Sequence, residues 1–148
     1  MTAEGRQEDL SLFQQDKILF GYKGARMKMK DDPQQTIKAY FDGLAAKDVS
    51  GVPWADNATL RTPLNPAGGE SALICGRKAI LDFFTSILPA LRSVKVLRHY
   101  AGEAGWSAGQ AEITLSNGKT LYVLDAFHVQ KGEIVEQQNH YDSRIATS

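Results

Sequence analysis

The C-terminal stretch constrains the fold more tightly than any other part of the chain. Four strand-length runs follow one another there: Val94 to Tyr100, Trp106 to Leu115, Thr120 to Val129 and Glu133 to Tyr141. Asn117-Gly118 links the second and third, and both residues tolerate the positive φ angles of a type I′ turn; Lys131-Gly132 plays a similar part between the third and fourth. Runs joined by turns this short pair antiparallel, so the sequence predicts a meander.

One residue in that meander is out of keeping with its neighbours. Side chains alternate faces along a strand, so Leu121, Val123, Asp125, Phe127 and Val129 share one face, and Tyr122, Leu124, Ala126 and His128 share the other. Asp125 therefore stands on the more apolar face. A lone buried carboxylate is costly, and such a group must be paired, hydrogen-bonded or held protonated. That makes Asp125 the first candidate for a functional role, against the alternative of a structural carboxyl satisfied by backbone N–H groups or a tyrosine.

Upstream of the meander the pattern is helical. Asp32 suits an N-cap and Pro33 the first helical position, and Ile37, Tyr40, Phe41, Leu44 and Ala45 recur at helical spacing. This helix ends after Lys47, where Gly51 and Pro53 interrupt the pattern and a turn presents Trp54. Ala58 to Leu64 reads as a strand stopped by Pro63, and Ser71 to Cys75 as a second, short one. Gly76 opens another helix with a stripe at Ile80, Phe83, Phe84, Ile87, Leu88 and Leu91, ended near Pro89. Helices first and a meander last indicate an α+β domain, with the helices on one face of a curved, mostly antiparallel sheet.

With 148 residues, 43% of them hydrophobic, the chain has room for one domain with a real core. We assign residues 31–148 to that domain. Residues 1–30 read as an extension with an apolar island at Ile18, Leu19, Phe20 and Tyr22 and a basic run from Arg26 to Lys30, either solvated or docked on a second subunit. The 17 basic and 17 acidic residues cancel, which removes any net-charge drive toward nucleic acid or an anionic membrane. No apolar run approaches the roughly 18 residues of a membrane span, the start lacks the apolar core of a signal peptide, and a cytoplasmic location is the default expectation. The single cysteine, Cys75, cannot form an internal disulfide and reads as a small buried residue. No metal-ligand spacing is present, and Gly68-Gly69 lacks the lysine and hydroxyl of a phosphate-binding loop, so neither a metal nor a nucleotide cofactor is expected.

Three motifs in order, P-x-x-x-I-x-x-Y-F-x-x-L-x-x-K-D from Pro33, D-N-A-T-L-R-T-P from Asp56 and D-A-F-x-V-x-K-G-E-I-V-E from Asp125, give residues 33 to 142 a pattern that resembles the nuclear transport factor two-like superfamily. The resemblance implies the cystatin-like, cone-shaped sheet of those proteins wrapped around N-terminal helices, an apolar pocket at the mouth of the cone, and a homodimer made through the sheet. Members include isomerases, SnoaL-like cyclases, dehydratases, epoxide hydrolases and proteins that only bind, so the fold alone does not choose a chemistry.

In ketosteroid isomerases a tyrosine and a protonated aspartic acid form the oxyanion hole. By that resemblance Tyr40 stands at the tyrosine and Asp125 at the acid. The isomerases' general-base aspartate falls at Thr62, whose hydroxyl is far too weak a base to move a carbon-bound proton. SnoaL-like cyclases, which move a proton with one pocket acid, would need only an ionised Asp125. The expected function is a SnoaL-like enzyme of isomerase, cyclase or dehydratase type acting on an apolar carbonyl compound, and the alternative is a binding or dimerisation module that has lost its base. Asp125 and Tyr40 are the catalytic candidates, with His99 as a substitute base because imidazole titrates near neutrality. Trp54, Thr62, Asn139, Phe127 and Tyr122 are the candidates for contact with substrate, Asn139 as a group that orients a carbonyl or water.

Overall fold

The structure, a computed structural model, describes residues 32–65 and 67–147. The expectations for residues 1–30 lie outside the described residues. Pro33–Ser148 form one compact unit whose secondary structure runs α1 (Pro33–Ala46), β1 (Trp54–Thr62), β2 (Ala72–Cys75), α2 (Arg77–Ile87), a 3-10 turn (Leu88–Ala90), β3 (Leu91–Ala101), β4 (Trp106–Leu115), β5 (Thr120–Gln130), β6 (Glu133–His140) and α3 (Ser143–Thr147). No helix among the described residues is long and apolar enough to cross a membrane.

The strands form one six-stranded sheet in the order β2-β1-β6-β5-β4-β3. β3 to β6 make the meander, and β1 enters beside β6 as the one parallel pair, with β2 antiparallel on its far side. Pro63 stops β1 because proline has no backbone N–H to donate to the ladder. β1 starts at Trp54, earlier than the sequence predicts, because Trp54 already pairs with Ile134 across an irregular stretch before the regular register from Thr59.

The two longer helices bury the stripes their periodicity announces. α1 turns Ile37, Tyr40, Phe41 and Leu44 inward against β3, β4 and β5, and α2 turns Ile80, Phe83 and Phe84 inward against β1 and β2. Gly76, with φ at 95°, makes the turn into α2 that an L side chain would strain. At the far end of α1, the Lys47 side chain donates to the carbonyls of Leu88 (3.3 Å) and Leu91, which ties α1 to the start of β3.

The core is aromatic where the two helices meet the sheet. The Tyr40 ring meets those of Phe41, Phe84 and Phe127 at centroid distances of 4.9, 5.5 and 5.2 Å, each edge-on. Trp54 stacks flat on Phe84 at 5.2 Å. Cys75, expected inside, is exposed at the end of the short edge strand β2, whose residues alternate between half-buried and exposed.

Candidate functional site

The inner face of the sheet carries a line of polar residues through this apolar core. Asp125 on β5 is opposite Asn139 on β6, and Phe127 is opposite Gln137. Asp125, Asn139, Gln137 and Thr62 are all buried. A bulge places them there. Between His128 and Val129 the pairing with β6 shifts from Glu136 to Ile134, so β6 carries one extra residue at that point. Ile134 lies inside; without the extra residue Glu136, Gln138 and His140 would follow it, whereas the shift turns Gln137 and Asn139 inward.

Asp125 lies at the end of a small cavity of about 40 Å³, whose lining includes Tyr40, Leu44, Phe84, Asn139 and Tyr141. That is room for little more than one water. A larger chamber of about 230 Å³ lies beside it, lined mainly by apolar groups that include Leu64, Ala90, Leu115 and Ala146. Ile87, Leu91, Leu121 and Tyr141 line both spaces, so the two are neighbours, and the smaller one sets Asp125, Asn139, Tyr40 and Tyr141 among apolar side chains. α3, which the sequence analysis did not anticipate, contributes Ala146 to the chamber wall.

Burial pushes the Asp125 carboxyl up to about 8, against the opposing influence of the His140 backbone N–H and then the Tyr40 hydroxyl, each of which favours the charged form. Its Oδ1 is buried without a hydrogen-bond partner. Neither neighbour therefore satisfies the carboxyl fully, and the free oxygen is an open position for a proton or a ligand. Tyr40 is held well above the ordinary phenol range, first by burial and then by the charge of Asp125, so it stays neutral beside the carboxyl.

A chain of amides sets the orientation of Asn139. Trp54 Nε1 donates to Gln137 Oε1 at 2.9 Å. Because an indole nitrogen can only donate, the Gln137 oxygen must face it and the Gln137 nitrogen must face the other way. Gln137 Nε2 then donates to Asn139 Oδ1 at 3.0 Å, which leaves Asn139 Nδ2 as the donor on the cavity side. Gln137 also lends a hydrogen bond to the Tyr40 oxygen. Replacing Gln137 by Leu leaves the Trp54 N–H buried without an acceptor, and we expect a loss of about 1–3 kcal/mol in denaturant unfolding. Unchanged stability would show that this amide chain holds nothing in place.

The other sequence candidates fall elsewhere. His99 is exposed on the outermost strand, β3, and does not line either space, so it is not the missing base. Tyr122, 67% exposed, projects from the opposite face of β5. Phe127 and Trp54 are 0% and 1% exposed and sit behind Tyr40 and Phe84 as core; Trp54 acts on the site only through Gln137. Thr62 lines neither space, but its Oγ1 lies 3.1 Å from the Tyr141 hydroxyl, which lines both. Gln137 and Tyr141 were missed, although Gln137-x-Asn139-x-Tyr141 is a period-two run of hydrogen-bonding residues that could have pointed to them. Among the described residues no cluster of His, Cys, Asp or Glu could hold a metal ion.

The backbone arrangement of this sheet and its helices is one that solved structures share. An NTF2-like protein of unknown function from Mesorhizobium loti superposes with a TM-score of 0.64 at 17% identity, over 79% of this chain and 93% of that one. The fold is nuclear transport factor two-like. A Bacillus subtilis protein described as a "Putative Isomerase" matches with a TM-score of 0.63 at 18% identity, over 80% of this chain and 91% of that one. A protein with a cystatin-like fold from Methylobium petroleophilum matches with a TM-score of 0.63 at 18% identity, over 75% of this chain and 76% of that one. No protein-family model and no curated protein matches the sequence. At these identities the nuclear transport factor two-like likeness describes the backbone, and the chemistry has to be argued from the side chains.

Proposed function

We propose that this chain is a small-molecule enzyme that moves a proton on an apolar, carbonyl-containing substrate, as an isomerase, cyclase or dehydratase of the SnoaL-like kind does. The observation that carries the reading is Asp125: a buried carboxyl with one unpartnered oxygen, lining a small cavity that shares wall residues with an apolar chamber, its pKa pushed up to about 8. A group titrating near the working pH is both a usable base and a usable acid. In the ionised form Asp125 takes a proton from the carbon beside the carbonyl. The C–H bond breaks, its electron pair moves toward the carbonyl oxygen to leave an enolate, and the protonated Asp125 returns the proton to the same or a conjugated carbon. Tyr40 supports the carboxylate, and Asn139 Nδ2 faces the carbonyl oxygen as charge develops on it. The "Putative Isomerase" among the structural neighbours agrees in kind with this reading.

The chamber, at about 230 Å³, falls below the roughly 300 Å³ at which pockets begin to accept drug-sized ligands, so the substrate reads as a one- or two-ring compound. Incubation with cyclohex-2-enone or 1-tetralone in deuterium oxide should place deuterium on the carbon beside the carbonyl at a rate that depends on Asp125. Binding without exchange across such compounds would leave the chain as a binding module, the role that Thr62 in the place of a base would favour.

The proposal extends to a homodimer through the outer face of the sheet, where Tyr100, Tyr122 and Leu124 are exposed on β3 and β5. Large apolar groups gathered on one face mark contact surfaces. Light scattering should give twice the chain mass for the native protein and the single-chain mass for Leu124→Glu; a native monomer would remove the dimer from the proposal.

A further inference from the structure

Tyr141 has a place in the structure that the proposed reaction has not yet used. It follows β6, lines both the apolar chamber and the inner cavity, and is the one hydroxyl common to the two. Burial pushes its phenol above the ordinary range, and the charge of Asp125 acts in the same direction, so Tyr141 and Asp125 feel each other across the cavity. Two groups work against that rise: the Thr62 side chain, 3.1 Å from the Tyr141 oxygen, and the Leu64 backbone N–H. The Leu64 N–H can only donate to the phenol oxygen, whereas between the Thr62 and Tyr141 hydroxyls either oxygen can be the donor. A phenol oxygen has two lone pairs and one proton. When Thr62 is the donor, it and Leu64 take the two lone pairs, and the phenol proton is free to turn to the cavity that Tyr141 lines. Thr62, at 0% exposed, lies behind the ring, where it can fix Tyr141 but cannot reach a ligand.

Building on the proton-transfer reading, we propose that Tyr141 is a second ligand-contacting donor: held by Thr62, it gives its hydroxyl proton to the carbonyl oxygen of a substrate whose ring body occupies the apolar chamber. The carbonyl oxygen then lies between Tyr141 and Asn139 Nδ2, with the adjacent carbon turned toward Asp125. This assigns Thr62 a role other than that of a lost base. It is a positioning residue, and the hydroxyl that meets the substrate belongs to Tyr141. It also explains how a neutral pocket could stabilise an enolate while Tyr40 is occupied with the carboxyl.

The test uses the full chain with 1-tetralone as the probe. Tyr141→Phe keeps the ring but removes the donor and the partner of Thr62 and Leu64, so the protein should stay folded with a modestly lower melting temperature while affinity falls about 10- to 100-fold, the range of one hydrogen bond in a dry site. The infrared carbonyl stretch of the bound probe should shift back toward its value in an apolar solvent. Thr62→Val should weaken binding about 3- to 10-fold, because Tyr141 loses its hold but keeps its proton. The double variant should bind no more weakly than Tyr141→Phe alone, since Thr62 acts through Tyr141. Native affinity and an unshifted carbonyl stretch in Tyr141→Phe would overturn the inference, and additive losses would overturn the role given to Thr62. Absence of deuterium exchange by the native protein, with these shifts present, would instead overturn the proton-transfer reading and leave Tyr141 as a ligand contact.

Discussion

Asp125→Asn should abolish deuterium exchange into the probe ketones and, at the same time, make the protein more stable at neutral and alkaline pH. The first effect follows from removing the group that accepts the proton; a positioned general base contributes about 10²- to 10⁴-fold, and the loss should fall in that range. The second follows from linkage. In the folded protein the Asp125 carboxyl titrates at about 8, raised by burial from an ordinary value of 3.8. Between those two pH values the folded state binds a proton that the unfolded chain has released, so the stability of the native protein is fullest below the lower value and falls as pH rises toward 8. Near pH 7 the difference is on the order of 4 kcal/mol. An asparagine does not titrate, so the variant should lack this slope. Denaturant unfolding at pH 5 and pH 8 measures it directly: the gap between native and variant proteins should be small at the lower pH and wide at the higher one, with the variant ahead. Parallel pH dependences would mean that Asp125 is not held as a buried acid. In the native protein, any exchange activity should rise with pH toward a plateau above about 8 as the ionised carboxylate accumulates.

Gly109→Ala should be nearly as damaging to activity, through a different cause. Gly109 is directly opposite Asp125 on the neighbouring strand, and a Cβ there would meet Phe41 Cε2 at 2.4 Å and Ile37 Cγ2 at 3.3 Å. Phe41 has nowhere to go, being packed edge-on against Tyr40 at 4.9 Å and Phe127 at 6.3 Å. The methyl group therefore forces α1 to lift from the sheet, and Tyr40, the next residue along the helix, moves away from the Asp125 carboxyl. Overpacking of this kind costs about 1–3 kcal/mol, and the displaced tyrosine should lower the exchange rate more than tenfold. A variant as stable as the native protein would show that the helix does not depend on close approach at this point. A joint loss of stability and activity, both restored in part by Phe41→Leu, would confirm that the glycine acts by seating the helix.

How much of this site was legible in the sequence varies from residue to residue. Asp125 was conspicuous because a charged side chain on an apolar strand face breaks the two-residue period, and that break is a local property. Tyr40 was legible because it shares the helical stripe with Ile37, Phe41 and Leu44. His99 misled, since an imidazole in a strand is chemically suitable whichever way it points, and only the position of β3 at the sheet edge shows that it is exposed. Trp54 was placed in the pocket wall when it is the anchor of the amide chain behind the wall. Nothing within its own segment reveals that, because its partner Gln137 is 83 positions away.

The sequence by itself determined the elements: two amphipathic helices, the hairpin turns at Asn117-Gly118 and Lys131-Gly132, and an acid among apolar neighbours. These depend on backbone preference and on side-chain period, which act over a few residues. The tertiary structure decided which polar groups meet that acid. One extra residue in β6 exchanged Glu136 and Gln138 for Gln137 and Asn139 on the inner face, and the parallel pairing of β1 with β6 joined two strands far apart in the chain, with Thr62, the last residue of β1, meeting Tyr141. Register and strand order are settled by the energy of the whole sheet, because a shift of one position reverses every side chain beyond it. The acid was written in the chain, and its surroundings were written in the pairing.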